Sequence, residues 1–301
     1  MQVHQLRYFI AVAEELHFGK AAEKLNMSQP PLSQQIKKLE NELNVTLFNR
    51  TKRSVTLTNV GKLFLKDAYD ILKRIEVSSD RVIKYAHGEI GEINLGYASY
   101  CIFDVLPMIL KDFYKKYPEV KVNLRHLTTA QQLDAFNHSQ IDIGLLCPPV
   151  DDAKLTLEPI YQQPFVAVIP SDSELAKESS NNSIDISQLK SYPFIMTPRD
   201  VGSGYYDAII NICFEAHFSP QVILEVNDLH ELISLVSTGL GVSIVPESLV
   251  QYQKSNVVFK KLNHDAFQVD TAIAFKEEAK TEVVNNFLTI TKNIMQQMNF
   301  S

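Results

Sequence analysis

The chain has 301 residues, 45% hydrophobic and 21% charged, with a formal net charge of −6. At roughly 100–200 residues per domain this length makes two or three compact units, and the composition excludes a disordered chain and a fibrous repeat. No apolar run approaches the roughly 18 residues of a membrane span, and Glu14 and Glu15 break the first apolar stretch before a secretion-signal core forms, so a cytoplasmic protein without membrane contact is expected. The acidic total argues against a nucleic-acid partner, but it hides a split. Residues 1–90 carry 14 Lys and Arg against 10 Asp and Glu, a balance of +4, whereas residues 91–301 carry 15 against 25, a balance of −10. Such asymmetry points to a basic interaction module attached to an acidic body.

In chain order, Leu6, Phe9, Ile10 and Ala13 recur at the spacing of an amphipathic helix. Phe18, Ala21, Ala22 and Leu25 repeat the pattern in a short second helix. Asn26-Met27-Ser28 forms a turn, Ser28 is placed to cap the next helix, and Pro30 and Pro31 fall in its first turn, where a missing N–H costs little. Leu32, Ile36, Leu39 and Leu43 form the buried stripe of this third helix. Two short helices around a turn of about three residues are the pattern of a helix-turn-helix. The open face of the third helix carries Ser28, Gln29, Ser33, Gln34 and Lys37, hydrogen-bonding types that suit base edges and phosphates. Residues 45–58 alternate apolar and polar around a turn with Arg50, Lys52 and Arg53, a β-hairpin wing whose basic tip would grip DNA. Beyond Gly61, the residues Leu65, Ala68, Leu72, Ile75, Ser79, Val82 and Ala86 form a heptad seam, which can pair with an identical helix. His87-Gly88 to Gly91 reads as a hinge.

From Ile93 onward the pattern changes to short β-rich runs at 93–99, 120–127, 141–147, 164–170, 193–197, 222–226, 242–246 and 271–275, with helical patterns between most of them at 104–117, 130–137, 205–217, 229–238 and 281–298. Alternating strands and helices imply parallel sheets with covered faces. About 210 residues exceed one comfortable open sheet, so two lobes are expected, with residues 155–170 and a stretch around 262–270 as the crossings. Ligands of α/β sheets sit beyond the carboxyl ends of strands. There the sequence places Ser99-Tyr100, Thr128-Thr129, Leu146-Cys147, the loop from Thr197 to Tyr205 and Asn227. Hydroxyl groups at helix starts suit a carboxylate, Tyr100 or Tyr205 would flank a ring, and Arg199 offers a positive charge. Cys101, Cys147 and Cys213 have no CxxC spacing and read as small core residues, and the eight histidines show no metal-binding spacing, so neither a metal nor a cofactor is expected.

The segment FGKAAEKLNMSQPPLSQQIKKLENELNVTLFNRTKRSVTLTNVG resembles the winged helix-turn-helix of the LysR-type transcriptional regulators, through AAEKL, SQPPLS, QIKKLE, LFNR and TLTNVG, with further family-like segments at GLGVSIVP and QIDIGLL. Gln34 stands where the family commonly has Arg. The resemblance implies an N-terminal all-α winged helix-turn-helix (1–59) that holds promoter double-stranded DNA through Ser28, Gln29, Pro30, Pro31, Ser33, Gln34, Lys37, Arg50, Lys52 and Arg53. It implies a long linker helix and hinge (60–90) that pairs two copies into a homodimer, a homotetramer of such dimers, and RNA polymerase as a further partner. It also implies a C-terminal α/β two-lobed, periplasmic-binding-protein-like domain (91–301; lobe 1, 92–162 and 268–301; lobe 2, 163–267) taking a small organic effector. The expected effector set is Ser99, Tyr100, Thr128, Leu146, Cys147, Arg199, Gly202, Ser203, Gly204, Tyr205 and Asn227; of these, Ser99 and Thr128 stand where regulators with aromatic-acid or muconate-like effectors have binding hydroxyls, and the Gly202–Gly204 loop matches the family segment that closes over the effector. The competing reading is an enzyme or solute-binding protein with an N-terminal assembly module. No nucleophile, phosphate loop or metal cluster is readable for it.

Overall fold

A computed structural model describes residues 1–51, 54–178, 182–252, 254–263 and 268–298. The chain divides into two compact units, Met1–Lys84 and Tyr85–Ser301.

The first unit holds α1 (Val3–Glu15), α2 (Phe18–Lys24), α3 (Gln29–Leu43), β1 (Phe48–Arg50), β2 (Val55–Leu57) and most of α4 (Asn59–Ala86). Its core takes Leu6, Phe9 and Val12 from α1, Ala21 and Ala22 from α2, and Leu32, Ile36 and Leu39 from α3, closed by Leu47, Phe48 and Ala68. Phe9 is its centre, with ring centroids 5.3 Å from Phe48 and 5.0 Å from Phe64. His17 caps α2, its Nδ1 accepting the amides of Gly19 and Lys20. Thr58 caps α4, its hydroxyl accepting the Gly61 amide at 2.8 Å while donating to the Thr46 carbonyl. Gly61 is required by close approach: a Cβ there would lie 2.2 Å from the Leu47 carbonyl oxygen.

The second unit continues with β3 (Ile90–Tyr97), a 3₁₀ turn at Ser99–Phe103, α5 (Val105–Lys116), β4 (Glu119–His126), α6 (Thr129–Asn137), β5 (Ile143–Leu146), β6 (Thr156–Pro170), α7 (Glu174–Glu178), β7 (Ser183–Ile184), β8 (Pro193–Met196), α8 (Ser203–Glu215), β9 (Gln221–Glu225), α9 (Leu229–Val236), β10 (Ser243–Pro246), a 3₁₀ turn at Glu247–Gln251, β11 (Val257–Leu262), β12 (Gln268–Phe275) and α10 (Glu282–Met298). One sheet runs β4-β3-β5-β12-β6. The fifteen-residue β6 then passes into a second lobe: Thr156–Pro164 pairs with β12, and Phe165–Pro170 pairs with β10 and β11. Parallel β8 and β9 join this second lobe through a bridge between Phe194 and Val242.

The sheets are not parallel throughout. Strand pairs β3–β4, β3–β5, β8–β9 and β11–β7 are parallel, but β12 runs antiparallel to both β5 and β6. The reason is topological. Strand β6 leaves the first lobe and β12 re-enters it, so the two crossing strands must run in opposite directions along one seam. Strand β11 was not among the expected strands, because Lys260 interrupts its apolar run. That lysine is nonetheless buried, with Nζ donating to the carbonyls of Leu175 and Ala176.

Candidate functional site

In the first unit, α3 presents Ser28, Gln29, Pro30, Pro31, Gln34 and Lys37 as exposed residues, with Ser33 half-buried beside them. Ser28 occupies the N-cap position, yet its side chain makes no capping bond. The sequence explains this. A cap accepts from the amides two and three residues into the helix, and here those positions are Pro30 and Pro31, which have no N–H. The Ser28 hydroxyl is therefore left at the helix tip next to Gln29, with no hydrogen bond among the described residues.

Arg50 has a structural task within the unit. Its guanidinium pairs with Glu40 Oε2 at 2.5 Å and lies over the Phe18 ring at 4.9 Å, while Glu40 Oε1 accepts the amides of Leu47 and Phe48. Glu40 of the QIKKLE segment and Arg50 of LFNR thus clamp the hairpin to α3. Lys52 and Arg53, expected at the tip of the wing, lie outside the described residues.

In the second unit the two lobes enclose a cleft of about 460 Å³, counted out to open solvent. Its lining includes Ser99, Tyr100, Thr128, Cys147, Gly202, Tyr205 and Asn227 from the expected set, together with Thr129, Thr197 and Val201 from the strand-end loops. Ala98, His126, Leu127 and Leu229 also line it and were not foreseen. His126 is the last residue of β4, and attention to the loop beyond each strand passes over the strand's own final side chain.

Polar groups in this cleft are largely unspent. The side chains of Ser99, Thr129, Thr197 and Asn227 make no hydrogen bond among the described residues. Thr128 caps α6, its hydroxyl accepting the Gln131 amide at 3.2 Å, with its own proton still available. Tyr100 and Tyr205 are buried, and burial raises both phenols well above their ordinary range. Burial also pushes the Cys147 thiol up to about 12, so it stays protonated and poorly nucleophilic. Beneath the floor, Gln132 Nε2 donates to the carbonyls of Leu127 and Leu145, fixing the ends of two strands that deliver lining residues.

The lobes meet on several sides of the cleft. The Ala130 amide of α6 donates to the Val201 carbonyl at 3.4 Å. A Cβ on Gly204 would lie 2.3 Å from the Pro148 carbonyl oxygen, so only glycine permits this approach. Asp104 in the first lobe accepts from Gln163 Nε2 on the crossing strand at 2.7 Å, and Gln163 Oε1 accepts the Ser248 amide of the second lobe at 2.8 Å.

Residues 3–62 match the bacterial regulatory helix-turn-helix protein family, lysR family, and residues 86–296 match the LysR substrate binding domain. The chain belongs to the LysR family of transcriptional regulators. It is 36% identical over 291 residues to the HTH-type transcriptional regulator AlsR of Bacillus subtilis, covering 97% of this chain and 95% of that one. It is 39% identical over 254 residues to the HTH-type regulator YnfL of Escherichia coli, covering 84% of each. The crystal structure of full-length CbnR complexed with its target DNA superposes with a TM-score of 0.86 at 26% identity, over 98% of this chain and 100% of that chain. The LysR-type chain is a DNA-binding regulator with a C-terminal effector-binding domain, and not an enzyme.

Four expected cleft residues of this LysR-type regulator take other places. Leu146 turns to the opposite face of its sheet, buried with Phe136, Leu155, Ala272 and Ala274. Arg199 is exposed and held by Asp207 through two hydrogen bonds of 2.8 Å, so its charge is already neutralised. Ser203 and Gly204 begin α8 just outside the lining, Gly204 serving as the contact with Pro148.

Proposed function

We propose that this LysR-type regulator reads promoter double-stranded DNA with Ser28, Gln29, Ser33, Gln34 and Lys37, and that a small carboxylate bound in the cleft sets its state. The observation that carries the ligand half is the convergence of unpartnered side chains from Ser99, Thr129, Thr197 and Asn227 on one cleft between two lobes. Polar groups left without protein partners at a cleft are poised for a ligand's acceptor atoms. An aromatic acid suits the walls supplied by Tyr100 and Tyr205. No resident cofactor or metal enters this reading.

Two copies pair through α4, whose Ile75 and Val82 on the heptad seam are exposed, as are the neighbouring Ile71, Ile83 and Tyr85. Apolar residues in such a row are stabilised by a second identical helix. Two dimers form a tetramer, RNA polymerase is the downstream partner, and the cytoplasm is the compartment. Effector binding favours one closure of the lobes and thereby changes how the paired DNA-binding units are presented, which requires different affinities for the two states.

A thermal-shift screen of small carboxylates, amides and amines on the full chain tests the ligand half. The best carboxylate raises the melting temperature, and Ser99→Ala removes that shift without altering the ligand-free melt, because Ser99 has no protein partner to lose. An unchanged shift in Ser99→Ala and Thr128→Ala contradicts the cleft assignment.

A further inference from the structure

The charge inventory of the cleft is unusually spare. Among the described residues that line it there is no Lys, Arg, Asp or Glu, and His126 is the one side chain able to carry a positive charge. Its Nε2 stands 3.6 Å from Asp228 Oδ2 across the two lobes, an ion-pair distance too long for a hydrogen bond, and the His126 side chain is 46% exposed. On its other side lies the Tyr97 ring, with centroids 5.6 Å apart. Asp228 does not depend on this histidine: Oδ1 accepts the His230 amide at 2.7 Å, capping α9, and pairs with His230 Nδ1 at 2.8 Å. His126 can therefore leave Asp228 at little cost to the second lobe.

A buried anion needs a compensating charge or several donors. The hydroxyl and amide groups supply donors for one carboxylate, and His126, when protonated, supplies a single charge. A second carboxylate would find no cation. We propose that His126 is the specificity-determining residue of this cleft, exchanging Asp228 for the carboxylate of a ligand that bears only one. This rests on the small-carboxylate reading given above and narrows it to monocarboxylates, with recognition assigned to a residue that the strand-end hydroxyls do not include.

Isothermal titration of the full chain with acetate, pyruvate and benzoate, with their amides, and with malonate and phthalate provides the test. The wild type binds one of the monocarboxylates about tenfold or more tighter than its amide, as expected for a charge-assisted hydrogen bond, and tighter than either dicarboxylate. His126→Gln abolishes the preference for acid over amide. His126→Arg retains the preference. Asp228→Asn, which keeps an acceptor to cap α9, tightens acid binding by removing the competitor. If His126→Gln keeps the acid-to-amide ratio while Ser99→Ala loses binding, the cleft stands and the role of His126 falls. A dicarboxylate that binds more tightly, or no tightening in Asp228→Asn, also overturns it. If no monocarboxylate binds the wild type, the carboxylate reading itself falls.

Discussion

Glu40 and Asp104 are both partly buried carboxylates held by different partners. Glu40 is satisfied by two backbone amides and the Arg50 guanidinium, with its side chain 12% exposed and that of Arg50 31%. Glu40→Ala strands all three donors and lowers the unfolding free energy by about 2 kcal/mol, measured by urea denaturation of the full chain; Arg50→Ala costs less, because the two amides keep their acceptor. Asp104 accepts from the Val105 amide and Gln163, but burial dominates and raises its carboxyl from 3.8 to about 6. A carboxyl whose folded value is raised favours the folded state most when protonated. Its contribution is complete below the unfolded value of 3.8 and is lost as pH rises through about 6. The loss amounts to roughly 3 kcal/mol at most. In the difference between wild type and Asp104→Asn, stability of the wild type therefore falls as pH is raised across this window. A difference that is flat with pH contradicts the assignment.

At the scale of elements, α4 is amphipathic beyond what its own unit covers. Gly61 and Ala68 are buried, whereas Val82 and Tyr85 are 67% and 68% exposed. Val82→Asp places a charge in the proposed helix pair and is expected to shift sedimentation velocity toward monomer, with loss of tight operator binding; an unchanged oligomer contradicts pairing through this helix. The longer helices were legible because they carry a 3.6-residue apolar period, whereas the five-residue α7 is too short to show one and was not expected. Several strand ends were legible because Ser99, Thr128, Thr197 and Asn227 come one or two residues after them. Strand β11 was not, since a buried lysine such as Lys260 looks polar until the carbonyls it caps are in place. Arg199 was misassigned for a related reason: its partner Asp207 lies a helix turn into α8, and only folding brings the two together. Leu146 was misassigned because consecutive strand residues face opposite sides, and the side of the ligand is set by the other lobe. Ser28 reads as a helix cap in the sequence, and its freedom follows only from the positions of the two prolines within the first turn.

At the scale of the whole molecule, the acidic net charge belongs to the effector-binding part, and the basic excess of +4 sits in residues 1–90 with the DNA-binding elements. One such unit neutralises few phosphates, so a single copy should bind DNA weakly and with a shallow salt dependence, while tight binding draws on paired half-sites and is the more salt-sensitive. In the proposed reading, recognition falls chiefly on α3, through Gln29, Gln34 and Lys37. The most direct measurement is a footprint of the full chain on the DNA upstream of its own gene, comparing the wild type with the Gln29→Ala and Lys37→Ala variants. The expected result is protection of two half-sites separated by about one helical turn or a multiple of it, lost in both variants while ligand binding in the cleft is retained. Full protection by both variants, or no protected region with the wild type, would contradict it.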